Sequence, residues 1–369
     1  MKQFFELLKG GLWRDYTPRL EVFDNSTDWK QIFELAKIQT VAGVVWDGVE
    51  KLPQSIRPPR TITILWYGYV ARLAQSNMVI NQTVKELFEL LESHSLHPIL
   101  MKGASVAALY PDPMKRGCGD IDLFLGEVEH NAANEIIQKR YNIDLGGKRQ
   151  AYHHHHYEIE GIEVENHKYL NSNEEFYGKS QFNKRLSEWY PHNPQYIDIE
   201  GYKVAVVPDK FNTQFLYHHI MRHFIDGEGV GLRQLCDLAI AMSCTKLSEN
   251  DIIVKRRSWQ IIERLLVRYL GLDPQFTVYN NTKFDAMADL VMRLVLEGGN
   301  FGFEREDEVL NNTPTKYVDR KIYSFKVHFD RFWLLLRPFP SESWAKFYEF
   351  LILGVTQIFN DSIGRKKRY

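Results

Sequence analysis

The stretch RGCGDIDLFL, Arg116 to Leu125, sets Asp120 and Asp122 one residue apart inside an otherwise apolar run. Residues i and i+2 of a β-strand share a face, so the two carboxylates project together while Ile121, Leu123 and Leu125 face the other way. Carboxylates held that close repel each other and raise each other's pKa unless a cation lies between them. Mg2+ is the simplest such cation, a hard ion that takes one or two protein carboxylates and completes its octahedron with water and substrate phosphates. Mn2+ accepts the same ligands. Upstream, LMKGAS reads as a strand that breaks at Gly103 into a helix start, where free N–H groups and close backbone approach suit a phosphate. Lys102 and Ser105 offer an ammonium and a hydroxyl to the same group. A third carboxylate is expected on a neighbouring strand. In GIEVENHKYL the alternation puts Glu163, Glu165 and His167 on one face, and either glutamate can complete the set. A two-metal site of this kind clamps the attacking and leaving oxygens of an in-line displacement, and the third acid can take the proton of the attacking hydroxyl.

Other candidates carry two readings each. Arg116, four residues before Asp120, either reaches a triphosphate or pins its own loop through a carboxylate; Asp237, on the apolar helix LCDLA, reads as an anchor for an arginine. In YHHIMRHF, His219 and His223 lie four apart and share a helix face with Arg222 beside them. They are either packing groups or the far wall of a cleft in which Arg222 or Arg233 binds the acceptor or a phosphate. Of the four histidines His153 to His156, only alternate members share a strand face, which leaves at most two metal ligands per side. They read as a polar hairpin strand beside the cleft. Without an HExxH motif or a cysteine cluster, zinc hydrolase chemistry has little support.

The elements that must position these residues follow from periodicity. Short helices fill residues 1 to 58, and a long helix from Thr61 to about Ser93 carries Leu65, Val70, Leu73, Val79, Val84, Leu87, Leu90 and Leu91 at spacings of three and four. Then come the strand HPILMKG, a short helix, the DIDLFL strand, the helix EVEHNAANEIIQKRY and two hairpins turning at Glu160-Gly161 and Glu200-Gly201. Beyond Pro208 every segment has helical spacing, and RFWLLLRPF reads as helical core. The expected organisation is an N-terminal helical region over 1–95, an α/β core over 96–207 and a helical C-terminal domain over 208–369, an α+β protein.

Composition bounds the function. Forty-six basic residues against forty-seven acidic leave a net charge of −1, so no whole-molecule field gathers a polyanion, and a long nucleic acid is not the expected acceptor. The GRKKRY terminus is the one basic cluster and reads as a solvated tail. Three dispersed cysteines suit a reducing compartment; with no signal-peptide core and no apolar run long enough to span a bilayer, the expected location is the cytoplasm.

Together, KGAS, GDIDLFL and VENH resemble the polymerase-β-like nucleotidyltransferase superfamily, whose pattern is a glycine turn, Asp-hydrophobic-Asp, and a third acid on a later strand. More narrowly, LMKGASVAALYPDPMKRGCGDIDLFL with FLYHHIMRHF and GLRQLCDLA is similar to an uncharacterised bacterial nucleotidyltransferase family often met near polysaccharide-synthesis genes. The resemblance covers about residues 60 to 245. It implies a mixed sheet flanked by helices, Asp120 and Asp122 as the metal pair, Gly103 to Ser105 as the phosphate turn, and Glu165 as the third acid because His167 follows it by two. It also implies transfer of a nucleoside monophosphate from an NTP, with Mg2+ or Mn2+, to an acceptor that is a small molecule, sugar or protein. A non-catalytic nucleotide-binding scaffold and a Mg2+-dependent phosphohydrolase or kinase are the competing readings.

Overall fold

The computed structural model of the chain describes residues 1–143, 150–151, 154–169, 194–226, 229–252, 256–298 and 317–362. The GRKKRY tail and His153 lie outside them. Two compact units emerge: Met1–Tyr217 with Leu232–Ile253 and Leu266–Val278, and His218–Gly231 with Val254–Leu265 and Tyr279–Tyr369.

The first unit is built on a mixed sheet of β1 (Ile99–Met101), β2 (Asp120–Phe124), β3 (Gln150–Ala151), β4 (His154–Ile159), β5 (Ile162–His167), β6 (Gln195–Ile199) and β7 (Tyr202–Val206), in the order β3-β4-β5-β2-β1-β7-β6. The Asp-bearing β2 is central, antiparallel to β1 and parallel to β5. Both hairpins close through two-residue turns with φ positive at each position, +50° and +83° at Glu160-Gly161 and +51° and +76° at Glu200-Gly201. That conformation matches the right-handed twist of the strands and fixes the β4/β5 register.

Among the described residues, the α-helices of this half of the chain are α1 (Lys2–Leu12), α2 (Trp29–Ile38), α3 (Ala42–Glu50), α4 (Arg60–Ser93), α5 (Gly103–Ala107) and α6 (Gly126–Tyr141). Ile80, Val84, Leu87 and Leu91 of α4 and Ala133 and Ile137 of α6 join Ile121, Leu123 and Val164 in one core cluster. Burying that face holds the opposite face, with its carboxylates, in place. The long helix appears as its spacing indicates, but Leu65 and Val79 are exposed, and Trp66 and Ile80 take the core positions instead. A side chain one residue off the stripe turns by about 100° on a helix of 3.6 residues per turn, enough to leave the core.

The N-terminal helices clamp the loop that delivers β2. A Cβ on Gly43 of α3 would lie 2.1 Å from the Lys115 carbonyl oxygen, so only glycine permits that approach. From α4, buried Asn77 donates through Nδ2 to the carbonyls of Met114 (2.9 Å) and Arg116 (2.8 Å), and its Oδ1 accepts the Cys118 N–H at 3.1 Å. Further along, α7 (Asp209–Asp226) leads on to α8 (Leu232–Cys244). The buried face of α8, including Leu235, Cys236 and Leu238, belongs to the first unit.

The second unit contains α9 (Arg256–Leu265), α10 (Asp285–Gly298), α11 (Tyr317–Leu336) and α12 (Pro340–Ser362). Arg264 bonds Asp285 at 2.7 Å, linking α9 to α10. The RFWLLLRPF stripe is core only in part. Phe332, Leu335 and Phe339 are buried, whereas Trp333 is 57% exposed.

Asn77→Ala removes three hydrogen bonds at once, one buried and two part-buried, each worth about 1 kcal/mol or more when a buried partner is left unmatched. A loss of about 2–4 kcal/mol is expected in urea denaturation; an unchanged midpoint would mean the loop is held without Asn77.

Candidate active site

The parallel register sets Asp120 beside Glu163 and Asp122 beside Glu165. Glu165 is part-buried next to the buried Asp122, while Glu163 is exposed and lies 3.6 Å from His156. Two strands thus bring Asp120, Asp122 and Glu165 to one face of the sheet.

Asp122 is the most enclosed of the three, at 1% exposure. Its Oδ1 accepts from Lys102 Nζ at 2.8 Å and from His167 Nε2 at 2.8 Å, and the same His167 nitrogen lies 3.1 Å from Glu165 Oε2. Among the described residues, Asp122 Oδ2 is buried with no hydrogen-bond partner. Burial alone would raise the Asp122 pKa, but Lys102 and His167 overcome it and hold the carboxyl far below the ordinary range. Asp120 goes the other way, pushed up by burial and by the Asp122 charge beside it. Burial opposes ionisation at Glu165 too, and the His167 hydrogen bond reverses that and keeps its pKa low. Lys102 and His167 are the counterparts: burial would lower both, and the surrounding carboxylates hold both above their ordinary values. The pair therefore consists of one carboxylate held ionised and one driven toward protonation, the electrostatic signature of a site that a cation would relieve.

The turn before the site has its own constraints. Lys102 and Gly103 both take positive φ, +46° and +39°, and a Cβ on Gly103 would meet the Asp120 carbonyl oxygen at 3.1 Å. The glycine lets the turn lie against β2 at the edge of the carboxylates. Ser105, buried, donates its hydroxyl to the Lys102 carbonyl at 2.7 Å, so the hydroxyl is engaged within the turn.

Arg116 pairs with a carboxylate. Its Nη2 lies 2.6 Å from Asp237 Oδ2 and its Nε 3.1 Å from Oδ1, a two-pronged buried pair to which Tyr110 OH adds a 2.8 Å bond. Asp237 is thus the arginine anchor that its apolar helix suggested. Arg233 Nη1 donates to the Gly117 carbonyl at 3.1 Å, and its charge acts on Asp120. His219 and His223 belong to the second unit, where their Nε2 atoms lie 3.1 Å apart across one helical turn.

One residue and two pairings escaped the sequence reading. Asn77 sits midway between Val70 and Val84, seven residues from each, and a polar residue on that apolar stripe was the available signal. The Arg116–Asp237 pair spans 121 residues and had no local signal. His154 lies opposite His167 on β4 with ring centroids 5.3 Å apart, which only the strand register reveals.

With this geometry in view, the comparisons with known proteins become informative. A family model described as "uncharacterised nucleotidyltransferase" matches residues 25–272, more than half of the chain. The chain belongs to that family. Nucleotidyl transfer is therefore its family-level activity, and a nucleotide its family-level substrate. Among solved structures it is similar to an antigenic nucleotidyltransferase-like protein from Paracoccidioides brasiliensis, at 16% identity over 57% of this chain and 97% of that one, with a TM-score of 0.34. No curated protein matches it. No helix among the described residues is long and apolar enough to cross a membrane.

Arg116→Met leaves Asp237 buried and uncompensated and is expected to cost about 3–5 kcal/mol, while the Arg116→Met/Asp237→Leu double variant recovers much of it. Thermal denaturation of the two variants checks this; equal losses would show that the pair is not the source of the cost. In metal-free protein, the stabilisation from His167 is fully present below its unfolded pKa of about 6.5 and is lost as pH rises through its raised folded value. Wild type and His167→Gln should therefore converge in stability as pH rises above about 6.5 and through the raised folded value. A gap that widens with pH would contradict the assignment.

Proposed function

We propose that this protein transfers a nucleoside monophosphate from an NTP to an acceptor and releases pyrophosphate, in a reaction dependent on Mg2+ or Mn2+. The observation that carries this reading is the buried, unpartnered Asp122 Oδ2 flanked by Asp120 and Glu165 on adjacent strands. An all-oxygen set with a spare acceptor suits a hard divalent cation, and Asp120, Asp122 and Glu165 would hold it. Bound there, such an ion would supply charge neutralisation at the phosphates and orientation for the displacement.

The chain's own groups supply the rest. Lys102, 2.8 Å from Asp122, places a fixed positive charge at the edge of the site, where it can turn to an incoming triphosphate. Gly103 keeps a side chain out of the turn, so backbone can approach a phosphate closely. Glu165, kept ionised by His167, is the carboxylate positioned to take the acceptor's proton. Ser105 and Arg116 act in this scheme by holding the turn and the loop before β2 in shape. The wider placement in the polymerase-β-like superfamily, and a link to polysaccharide synthesis, belong to the same proposal. The near-zero net charge favours a small molecule, sugar or protein acceptor over a long nucleic acid.

A second reading has one observation in its favour. Lys102 and His167 together already balance Asp122, so the fold stands without an ion, as a non-catalytic nucleotide-binding scaffold would. NTPs labelled at the α- or γ-phosphate, supplied with metabolite and protein pools, separate the readings. Transfer of α-label to an acceptor is expected. Transfer of γ-label or release of free phosphate points instead to a kinase or phosphohydrolase, and NTP binding without turnover to a scaffold. Asp122→Asn, which keeps an oxygen for Lys102 and His167, should weaken Mg2+-dependent NTP binding at least tenfold by calorimetry while circular dichroism reports folding; unchanged binding would refute the site.

A further inference from the structure

Beside the oxygen-donor set lies a group of different chemistry. His154, Glu165 and His167 each offer one ligand atom, and these atoms all lie within 4.8 Å of one another. The sheet enforces the arrangement: antiparallel pairing sets His154 directly across from His167, and Glu165 precedes His167 by two residues on the same face. His167 is buried, while His154 and Glu165 are part-buried, so the cluster keeps one open side.

We infer that His154, Glu165 and His167 form a second cation position selective for a nitrogen-binding divalent ion of the Zn2+ class, sharing Glu165 with the Asp120/Asp122 set. Two imidazoles and one carboxylate suit Zn2+ and its neighbours in the transition series and suit Mg2+ poorly, because Mg2+ prefers oxygen and keeps its waters. Donors bound about 2.1 Å from one tetrahedral ion lie about 3.4 Å apart, so side-chain shifts on the order of an ångström close the present spacing. Three protein ligands leave the fourth position open, the pattern of a reactive centre and not of a sealed structural one.

His167 already sits where such an ion would act. Its Nε2 lies between Asp122 Oδ1 at 2.8 Å and Glu165 Oε2 at 3.1 Å, joining the carboxylates through hydrogen bonds. An ion at the imidazoles would take over that charge balance and leave Asp122 to the neighbouring oxygen-donor position. The sheet face would then present hard oxygen donors at β2 and nitrogen donors at β5 and β4, bridged by Glu165. The inference needs only these three residues and stands apart from nucleotidyl transfer itself.

The test is titration of the full chain with Zn2+ alone by calorimetry, and with Co2+ alone by visible absorption. One equivalent is expected in the wild type, with Co2+ d–d bands, and affinity should fall at least tenfold in both His154→Ala and His154→Gln. Circular dichroism reports folding, and the glutamine variant keeps a polar side chain of similar reach. Asp120→Ala should retain Zn2+ binding. The inference is overturned if the wild type binds no Zn2+, if both His154 variants bind as tightly as wild type, or if Asp120→Ala abolishes binding while the His154 variants keep it. Mg2+-dependent NTP binding, measured on the wild type, reports on the nucleotidyltransferase reading independently: its absence there with Zn2+ binding intact would sink only the earlier proposal.

Discussion

Asp122 is a carboxylate buried to 1% exposure on the central strand of the sheet, and an ionised group in that position is tolerated only if something carries opposite charge to it. Lys102 arrives from the end of β1 and His167 from the end of β5, the strands on either side of β2, each 2.8 Å from the same oxygen. The neighbouring strands are therefore fixed electrically as well as by their backbone ladders. Among the described residues the second oxygen of the same carboxylate has no partner, so the balance is sufficient for folding yet incomplete for solvation. A structural ion pair and an unmatched acceptor coexist in one side chain.

Position matters as much as charge, and the loop before β2 shows how position is held. It has no regular ladder of its own along most of its length. Asn77 from the long helix, Gly43 from the third helix and Asp237 from the helix over 232–244 each grip a different part of it. The N-terminal helices thus support the site and are more than a lead-in to the sheet, and the helix over 232–244 returns to the first unit for the same purpose. Arg116 is engaged in this task through its pair with Asp237.

Across the sheet the donor chemistry changes in steps. On β2 it is oxygen alone, on β5 Glu165 and His167 alternate with core residues, and on β4 the imidazoles of His154 and His156 continue the same face. Burial pushes the pKa of both Asp120 and Asp122 up, yet they respond oppositely because Lys102 and His167 both bond to Asp122. Charge on this face is thus balanced unevenly, Asp122 being held ionised by Lys102 and His167 while Asp120 is pushed toward protonation.

By itself the sequence determined the elements and the local half of the site. Period-two alternation placed Asp120 and Asp122 together and Ile121 and Leu123 in the core, the Glu-Gly turns marked both hairpins, and the glycine after Lys102 marked the strand-to-turn break, all from neighbours within a few residues. Only the tertiary structure decided what joins elements far apart in the chain. Strand order put Glu165 and not Glu163 beside Asp122, and β4 register put His154 against His167. Arg116 went to Asp237 instead of a phosphate, and Trp333 left the core that its apolar stripe suggested. The reason is physical: alternation and helical spacing are properties of a short backbone segment, whereas register between strands and the choice of ion-pair partner depend on which surfaces are buried together, which no local spacing encodes.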